Sequence, residues 1–269
     1  MTLKKVLTIA GSDCSGGAGV QADIKTVAAH HLYAMSVITA VTAQNTLGVQ
    51  SIFPVSPDAV AAQLDSIFCD IPPDAVKIGM VYSAAAVHVI AEKLMQYHAM
   101  RVIIDPVLVS TSGRILLQDD ARDALVEELF PLAELITPNL DEEHILHMQL
   151  CCVQGAVLVK GGHASASPDD ILFPSGKLLE KYNGADCCGI PGAVCFSGTR
   201  IGNPNTHGTG CTLSSAIACG RAQGLSIEES VRKAKAYITG AIQAGLQLGH
   251  GRGPLDHGWQ SCSYFSFGR

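Results

Sequence analysis

The chain has 269 residues, 48% of them hydrophobic and 16% charged, and no shift in composition marks a second domain, so one substantial domain is expected. A formal charge of -6 with no Lys/Arg run excludes a nucleic-acid binder, which needs a concentrated basic face, and no apolar run approaches membrane-spanning length. The apolar run at residues 6–10 is too short for a signal peptide, so a soluble cytoplasmic protein is expected.

Short β-rich runs alternate with helical patterns, which predicts an α/β fold whose mainly parallel sheet is covered on both faces. Residues 6–10 read as a buried first strand. It opens into the glycine-rich loop 11–19, and a helix follows from about 20 to 30. Asp23 is placed in the first turn of that helix, where it serves either as a capping charge or as a substrate contact. Residues 35–41 make the next strand, ending at Thr42-Ala43-Gln44-Asn45-Thr46. Ser56 caps a helix with Pro57 at its first position, and Val60, Leu64 and Ile67 form its apolar stripe. A strand at 75–78 leads to Gly79-Met80-Val81, and Ser83 caps a helix to about 98. Residues 102–104 are a strand ending in Asp105-Pro106-Val107, and 110–113 read as a mobile flap. A helix from about 120 to 129 precedes a strand at 135–136, a short helix from about 141 to 150, and a strand at 156–159 ending in Lys160. Residues 171–179 read as a hairpin, 183–204 show little periodicity, and a last long helix runs from the cap Ser226 to about 246. The tail from 249 has no usable pattern.

Polar or glycine positions recur where a strand gives out. Open α/β sheets bind ligands at that carboxyl edge, so Gly11, Gln44, Met80, Asp105, Asn139 and Lys160 are candidates for one crevice. Gln44 and Asn139 read equally as turn residues, and Lys160 as a solvated charge. The strongest stretch is Asn205-Thr206-His207-Gly208-Thr209-Gly210-Cys211-Thr212, which runs directly into a small-residue helix. Glycines before a helix let successive backbone N–H groups face an anion at the positive end of the dipole, a site suited to phosphate. Cys211 falls in the first turn, where that field is expected to lower its thiol pKa and make it a base for a substrate hydroxyl. A plain helix cap is the alternative. The chain's ten cysteines, with doublets at 151–152 and 187–188, are expected as free thiols, because no C-x-x-C pair of the zinc-ribbon kind occurs. Glu143, His144 and His147 form an E-H-x-x-H string, read as a polar helix face.

The segments Leu7-Thr8-Ile9-Ala10-Gly11-Ser12-Asp13, Ser15-Gly16-Gly17-Ala18-Gly19-Val20-Gln21-Ala22-Asp23 and Thr206-His207-Gly208-Thr209-Gly210-Cys211-Thr212 resemble the hydroxymethylpyrimidine/phosphomethylpyrimidine kinases of thiamine synthesis, members of the ribokinase superfamily. Lys77-Ile78-Gly79-Met80, Asp105-Pro106-Val107, Thr137-Pro138-Asn139 and Lys160-Gly161-Gly162-His163 extend the likeness over roughly residues 3–246. It implies a ribokinase-like three-layer α/β/α fold and transfer of the ATP γ-phosphoryl group to 4-amino-5-hydroxymethyl-2-methylpyrimidine, then to its monophosphate. By the same resemblance Cys211 is the base, and the backbone of Gly208, Thr209, Gly210 and Cys211 holds the transferring group. Gln44 reads the pyrimidine, with Gly11, Asp23, Met80 and Val107 completing the pocket. Asn139, Lys160 and Thr206 hold nucleotide phosphates, and Asp105 and Glu142 arrange magnesium. The superfamily commonly forms homodimers. No G-x-x-x-x-G-K-[ST] occurs, so ATP binding is not of the P-loop kind.

The chain departs from the family in a shortened segment between Asn139 and Val157 and in the cysteine-studded stretch 183–204. Two other functions stay open at this level: pyridoxal kinase activity, whose family generally carries Met near position 44, and a non-catalytic pyrimidine binder that has lost ATP.

Overall fold

A computed structural model describes residues 2–109, 113–162, 168–182 and 190–260. The chain forms β1 (Lys5–Asp13), α1 (Gly19–Ala29), β2 (Tyr33–Asn45), β3 (Gly48–Pro54), α2 (Pro57–Asp70), β4 (Ala75–Ile78), α3 (Ala84–Gln96), β5 (Val102–Ile104), α4 (Asp119–Ala124), β6 (Leu135–Ile136), α5 (Leu140–Cys151), β7 (Ala156–Val159), β8 (Asp170–Phe173), β9 (Val194–Phe196), α6 (Thr209–Ala222) and α7 (Ile227–Ala244). The described strands make one nine-stranded sheet in the order β3-β2-β1-β4-β5-β6-β7-β8-β9. Pairing is parallel from β2 through β7 and antiparallel at the edges β3, β8 and β9.

Alternation along the strands divides the core. Leu7 and Ile9 of β1, with Val76 and Ile78 of β4, pack toward α2, α3, α4 and α5. Val6, Ala75 and Ile103 face the other way, toward α1, α6 and α7. Because successive side chains point to opposite faces, Thr8 and Lys77 must project to the α1/α6 side. That parity puts a lysine and a threonine inside the apolar layer, both with 1% exposure or less.

Helix starts follow their caps. Ser56 accepts the Ala59 N–H and Ser83 the Ala86 N–H, and Ser226 forms a capping box with Glu229. The stripe of α2 is Val60, Leu64 and Phe68, with Ile67 only partly buried, so the expected third position shifts by one residue. The helix expected to about 129 leaves α-geometry at Ala124, passes through a π-turn over Leu125–Leu129 and ends in a 3-10 turn. Pro131 lacks an N–H and crowds the preceding turn, which accounts for the stop.

The expected hairpin at 171–179 does not form. Residues Gly176–Lys181 make a 3-10 helix that buries Leu179, and β8 pairs instead with β9 from the stretch that lacked periodicity. No residue pattern marks β3, which folds back on the end of β2. The flap residues 110–112, His163 and the doublet 187–188 lie outside the described residues. Every cysteine among the described residues is a free thiol.

Candidate active site

The loop into α6 ends on a left-handed glycine that sets the first turn of the helix. Gly208 is the N-cap, with φ 83°, and a methyl group there would overlap the carbonyl oxygen of Gly17. Only glycine combines that left-handed turn with that approach. Thr209, Gly210 and Cys211 form the first turn of α6, where the Gly210 and Cys211 N–H groups have no carbonyl one helical turn back to bond. Gly210 brings this turn against Asp105 and Lys160: a Cβ there would stand 3.2 Å from Asp105 Oδ2 and 3.5 Å from Lys160 Nζ. Thr206 precedes the turn, and its carbonyl accepts the Thr209 N–H at 3.3 Å.

Cys211 is partly exposed in that turn. Its thiol is not acidified as the helix-terminus argument expected. Burial pushes it up to about 11, and the carboxylates of Asp23 and Asp105 add to the rise, while Lys77 and the Gly19 amide pull the other way. Desolvation disfavours the thiolate more than the helix field and one ammonium favour it.

Asp23 lies under Cys211 with no exposed surface. Both carboxylate oxygens are engaged: Oδ2 with Thr8 Oγ1 at 2.5 Å and Lys77 Nζ at 2.9 Å, Oδ1 with Ser215 Oγ at 2.8 Å. It is neither a cap, since α1 has no acid in its first turn, nor an exposed wall of the pocket. It is half of a buried ion pair whose other partner, Lys77, was not singled out as a site residue. Burial alone would lower the Lys77 ammonium, but the charges of Asp23, Cys211 and Asp105 outweigh it and hold it above the ordinary lysine value.

Toward the nucleotide side, Lys160 Nζ lies 2.6 Å from Asp105 Oδ1, and Thr137 Oγ1 reaches the same oxygen at 3.2 Å. Burial alone would lower the Lys160 ammonium, but Asp105 and Glu142 hold it above its usual value. Asn139 caps α5 by accepting the Glu142 N–H at 2.9 Å, and the Glu142 carboxylate accepts the Asn139 N–H at 2.8 Å. Burial pushes Glu142 up to about 7 against the pull of Lys160, and Asp105 adds to the rise. Asn139, Asp105, Glu142 and Lys160 therefore share one corner. The E-H-x-x-H string on the same helix does not converge, since His144 is exposed while His147 Nδ1 meets Glu143 Oε1 at 2.5 Å.

On the substrate side Met80 joins Ala40 and Leu116 in a small cluster, with Val107, Val49, Ile52 and Tyr82 packed on it. Gly11 completes that wall, because a Cβ there would meet Met80 Cε at 2.5 Å. Gln44, half-buried at the end of β2, reaches His207 Nε2 at 3.1 Å. The same ring nitrogen lies 2.9 Å from Asp13 Oδ2. If that nitrogen gives its hydrogen to Asp13, it cannot also accept from the Gln44 amide, so Gln44 keeps bonding capacity for a ligand. Burial alone would raise Asp13, but hydrogen bonds from His207 and Ser15 outweigh it and hold the carboxyl at about 2. Cys14 fixes the Gln44 backbone on its other side, donating to the Gln44 carbonyl at 3.1 Å and accepting its N–H at 3.3 Å. Asp13, His207, Cys14 and Lys77 were thus missed as site residues, although all lie within quoted motifs or beside them.

A sequence profile of the phosphomethylpyrimidine kinase family matches residues 13–256. The chain is 44% identical to a hydroxymethylpyrimidine/phosphomethylpyrimidine kinase of Rhizobium meliloti, over 93% of this chain and 96% of that protein. It is 45% identical to a thiamine biosynthesis bifunctional protein of Geobacter sulfurreducens over 94% of its own length, but spans only 52% of that longer protein. Among solved structures it resembles the phosphomethylpyrimidine kinase of Clostridium difficile at 40% identity and a TM-score of 0.72, covering 89% of this chain and 99% of that one. An ADP complex of Bacillus subtilis pyridoxal kinase superposes with a TM-score of 0.82 at 31% identity, covering 97% of this chain and 100% of that one.

Proposed function

The chain belongs to the phosphomethylpyrimidine kinase family, and from that premise we propose that it is the ATP-dependent kinase of 4-amino-5-hydroxymethyl-2-methylpyrimidine and of its monophosphate in thiamine diphosphate biosynthesis. We place the whole reaction in a single ribokinase-like domain. The observation that carries this reading is the position of Cys211: first turn of α6, above the buried Lys77–Asp23 pair and beside the Asp105–Lys160 corner. The nucleotide-bound pyridoxal kinase neighbour supports ATP as donor and speaks against a binder that has lost its nucleotide.

In this reading Gln44 takes the amino group and adjacent ring nitrogen of the pyrimidine, and Met80, Val107 and Gly11 cover its apolar faces. The hydroxymethyl oxygen attacks the γ-phosphorus of ATP, the bond to the ADP oxygen breaks, and Cys211 receives the hydroxyl proton. Backbone N–H groups of the 208–211 turn, apart from that of Thr209, which Thr206 holds, face the equatorial oxygens, where fixed dipoles need no reorganisation as charge develops. Thr206, Asn139 and Lys160 serve the remaining phosphates. Lys77 favours the thiolate without touching substrate.

Magnesium fits the Asp105–Glu142 corner. Two carboxylates crowd there, one of them pushed up to about 7, and a magnesium ion on a nucleotide asks for only one or two protein carboxylates beside phosphate and water. Asp105 and Glu142 would hold the ion, which neutralises phosphate charge when bound.

A homodimer is supported by the outer edge of the sheet. Val41 and Phe53 are cross-strand partners, 44% and 59% exposed, and Leu47 at the β2–β3 turn is 65% exposed. Sedimentation of the purified chain as a monomer would overturn it.

The decisive experiment is a coupled assay with the pyrimidine alcohol, its monophosphate and pyridoxal, on wild type and Cys211→Ala. Wild type should prefer the pyrimidines. The variant should lose about 10²–10⁴-fold in turnover, the usual contribution of a positioned base, with little change in pyrimidine affinity. Since the thiol sits at about 11, wild-type kcat/KM should climb with pH through the neutral and alkaline range, and the variant should lose that slope. Undiminished turnover in Cys211→Ala would remove the cysteine from its role.

A further inference from the structure

Residues 249–259 return from the end of α7 to the sheet edge and fasten two separate parts of the substrate side. The amides of His250 and Gly251 each lie 3.2 Å from Thr46 Oγ1, and the Arg252 N–H donates to the Thr46 carbonyl at 3.1 Å. The next residue turns to the loop before α6: the Gly253 amide donates to Asn205 Oδ1 at 3.1 Å, and its carbonyl accepts the His207 N–H at 3.2 Å. His207 and Pro254 then pair as a short parallel bridge.

Beyond this point the segment is anchored in the core. Leu255 is 1% exposed. His257 lies 3.0 Å from Thr212 Oγ1, and its carbonyl accepts from Tyr237 at 2.7 Å. The Trp259 ring fills the space that a side chain at Gly240 would need.

The two fastened points flank the Gln44–His207 contact. Thr46 follows Gln44 by two residues, and the His207 ring stands 3.1 Å from the Gln44 side chain. The β1–β2 ladder ends at Asp13 and Thr42, so past the β2–β3 register shift Gln44 is held by edge pairing with Val49 and by Cys14, and the Thr46 fastening adds a tie from outside the sheet. An irregular edge pair holds a strand end less firmly than a continuous two-sided ladder.

We propose that residues 249–259 are a clasp that sets the spacing between Gln44 and His207, and that Thr46 is its positioning residue for pyrimidine recognition. The inference rests on the pyrimidine-kinase reading above. Thr46 acts through Gln44 and need not touch the substrate. The Gly253 end holds the loop that carries Thr206, whereas the Thr46 end touches only the end of β2, so loss of the Thr46 fastening alone should be felt in substrate binding rather than in phosphoryl transfer.

The test is Thr46→Val, which removes the hydroxyl at nearly constant size, beside Thr46→Ser, which returns it. Losing one acceptor shared by two amides should raise KM for the pyrimidine alcohol, and its Kd by calorimetry, about tenfold. The turnover number, KM for ATP and the melting temperature should hold, and Thr46→Ser should restore the wild-type KM. Gly251→Ala, whose methyl would overlap the Thr46 carbonyl oxygen, should give the same split from the other partner. Wild-type KM and Kd in both Thr46→Val and Gly251→Ala would overturn the clasp while leaving the kinase reading intact. A parallel fall of kcat, ATP affinity and melting temperature would also overturn it, as the mark of a merely structural role. A wild-type protein that neither binds nor phosphorylates the pyrimidine would overturn both.

Discussion

The two sides of the cleft are built in opposite ways. The nucleotide side is the more local: Asn139 and Glu142 cap one another within a single turn, and Asp105 and Lys160, 55 positions apart, come from the ends of the parallel strands β5 and β7. The substrate side is assembled from segments far apart in the chain. Asp13 meets His207 across 194 positions, Gln44 meets His207 across 163, and Thr46 meets Gly251 across 205. Phosphate recognition needs only oriented amides and one or two cations, which a short motif can supply. Recognition of a particular ring needs fixed distances between side chains from separate loops, and those are set by long-range contacts.

The Lys77–Asp23 pair lies at the seam and provides the strongest way to break the contrast. Both side chains have no exposure, so Lys77→Met leaves a buried carboxylate without its counter-charge. Breaking such a pair from one side costs about 3–5 kcal/mol, whereas replacing both charges is often close to neutral. Lys77→Met should therefore lower the urea midpoint sharply, and Lys77→Met with Asp23→Asn should recover most of it. The double variant separates folding from chemistry: it removes Lys77, which lowers the thiol, together with Asp23, which raises it by less, so alkylation of Cys211, followed by peptide mass spectrometry, should need a slightly higher pH than in wild type. An unchanged profile would show that the pair as a unit serves folding, its two effects on the thiol cancelling.

Gln44→Met comes next in size. If the amide reads the pyrimidine, losing a donor and an acceptor together should cost about a hundredfold in kcat/KM for the pyrimidine alcohol, near the upper range for two buried hydrogen bonds. The ratio of pyridoxal to pyrimidine turnover should rise at the same time. Pyrimidine kinetics equal to wild type would take Gln44 out of the pocket, and with it the idea that the substrate side is the more precisely fixed of the two.

The same contrast explains what could be read from the residues alone. The parallel sheet, most helix starts and the glycine turn into α6 are legible because each is a local pattern: strand runs, Ser caps, glycines before a helix. Cys211 stands in the first turn of α6, as its sequence position implies, but its thiol is raised where that position predicts acidity. A helix terminus can be seen in sequence, whereas the desolvation that drives the thiol up to about 11 depends on what packs around it. Asp23 reads as either a cap or a substrate contact because its actual partners come from β1, β4 and α6, far from it in sequence, and Lys77 shows only as one polar residue in a short strand. The tail from 249 gave no signal, since a segment held by backbone hydrogen bonds to distant loops has no periodicity to detect. The β3 strand was missed for a related reason: its burial alternates weakly, and it is defined by its partner β2 rather than by its own side chains.

Asp13 offers the smallest effect and the finest test of the substrate side. Its carboxylate accepts from His207, the Ser15 hydroxyl and the amides of Ser15, Gly17 and Ala18, which together overcome burial and hold it at about 2. A carboxyl lowered from 3.8 on folding contributes stability that is fully present above that value and disappears as pH falls through about 2. The shift corresponds to about 2 kcal/mol at neutral pH. Urea melts from pH 5 down to pH 2 should show that loss in wild type, and Asp13→Asn should show a flatter acid limb from a lower starting stability. The variant must also weaken pyrimidine binding if the network orients Gln44 through His207, while leaving ATP affinity in place. A variant with the wild-type acid limb would mean that the loop at 13–18 holds together without the carboxylate, and that the ordering of the substrate side resides in the 249–259 segment and Cys14 instead.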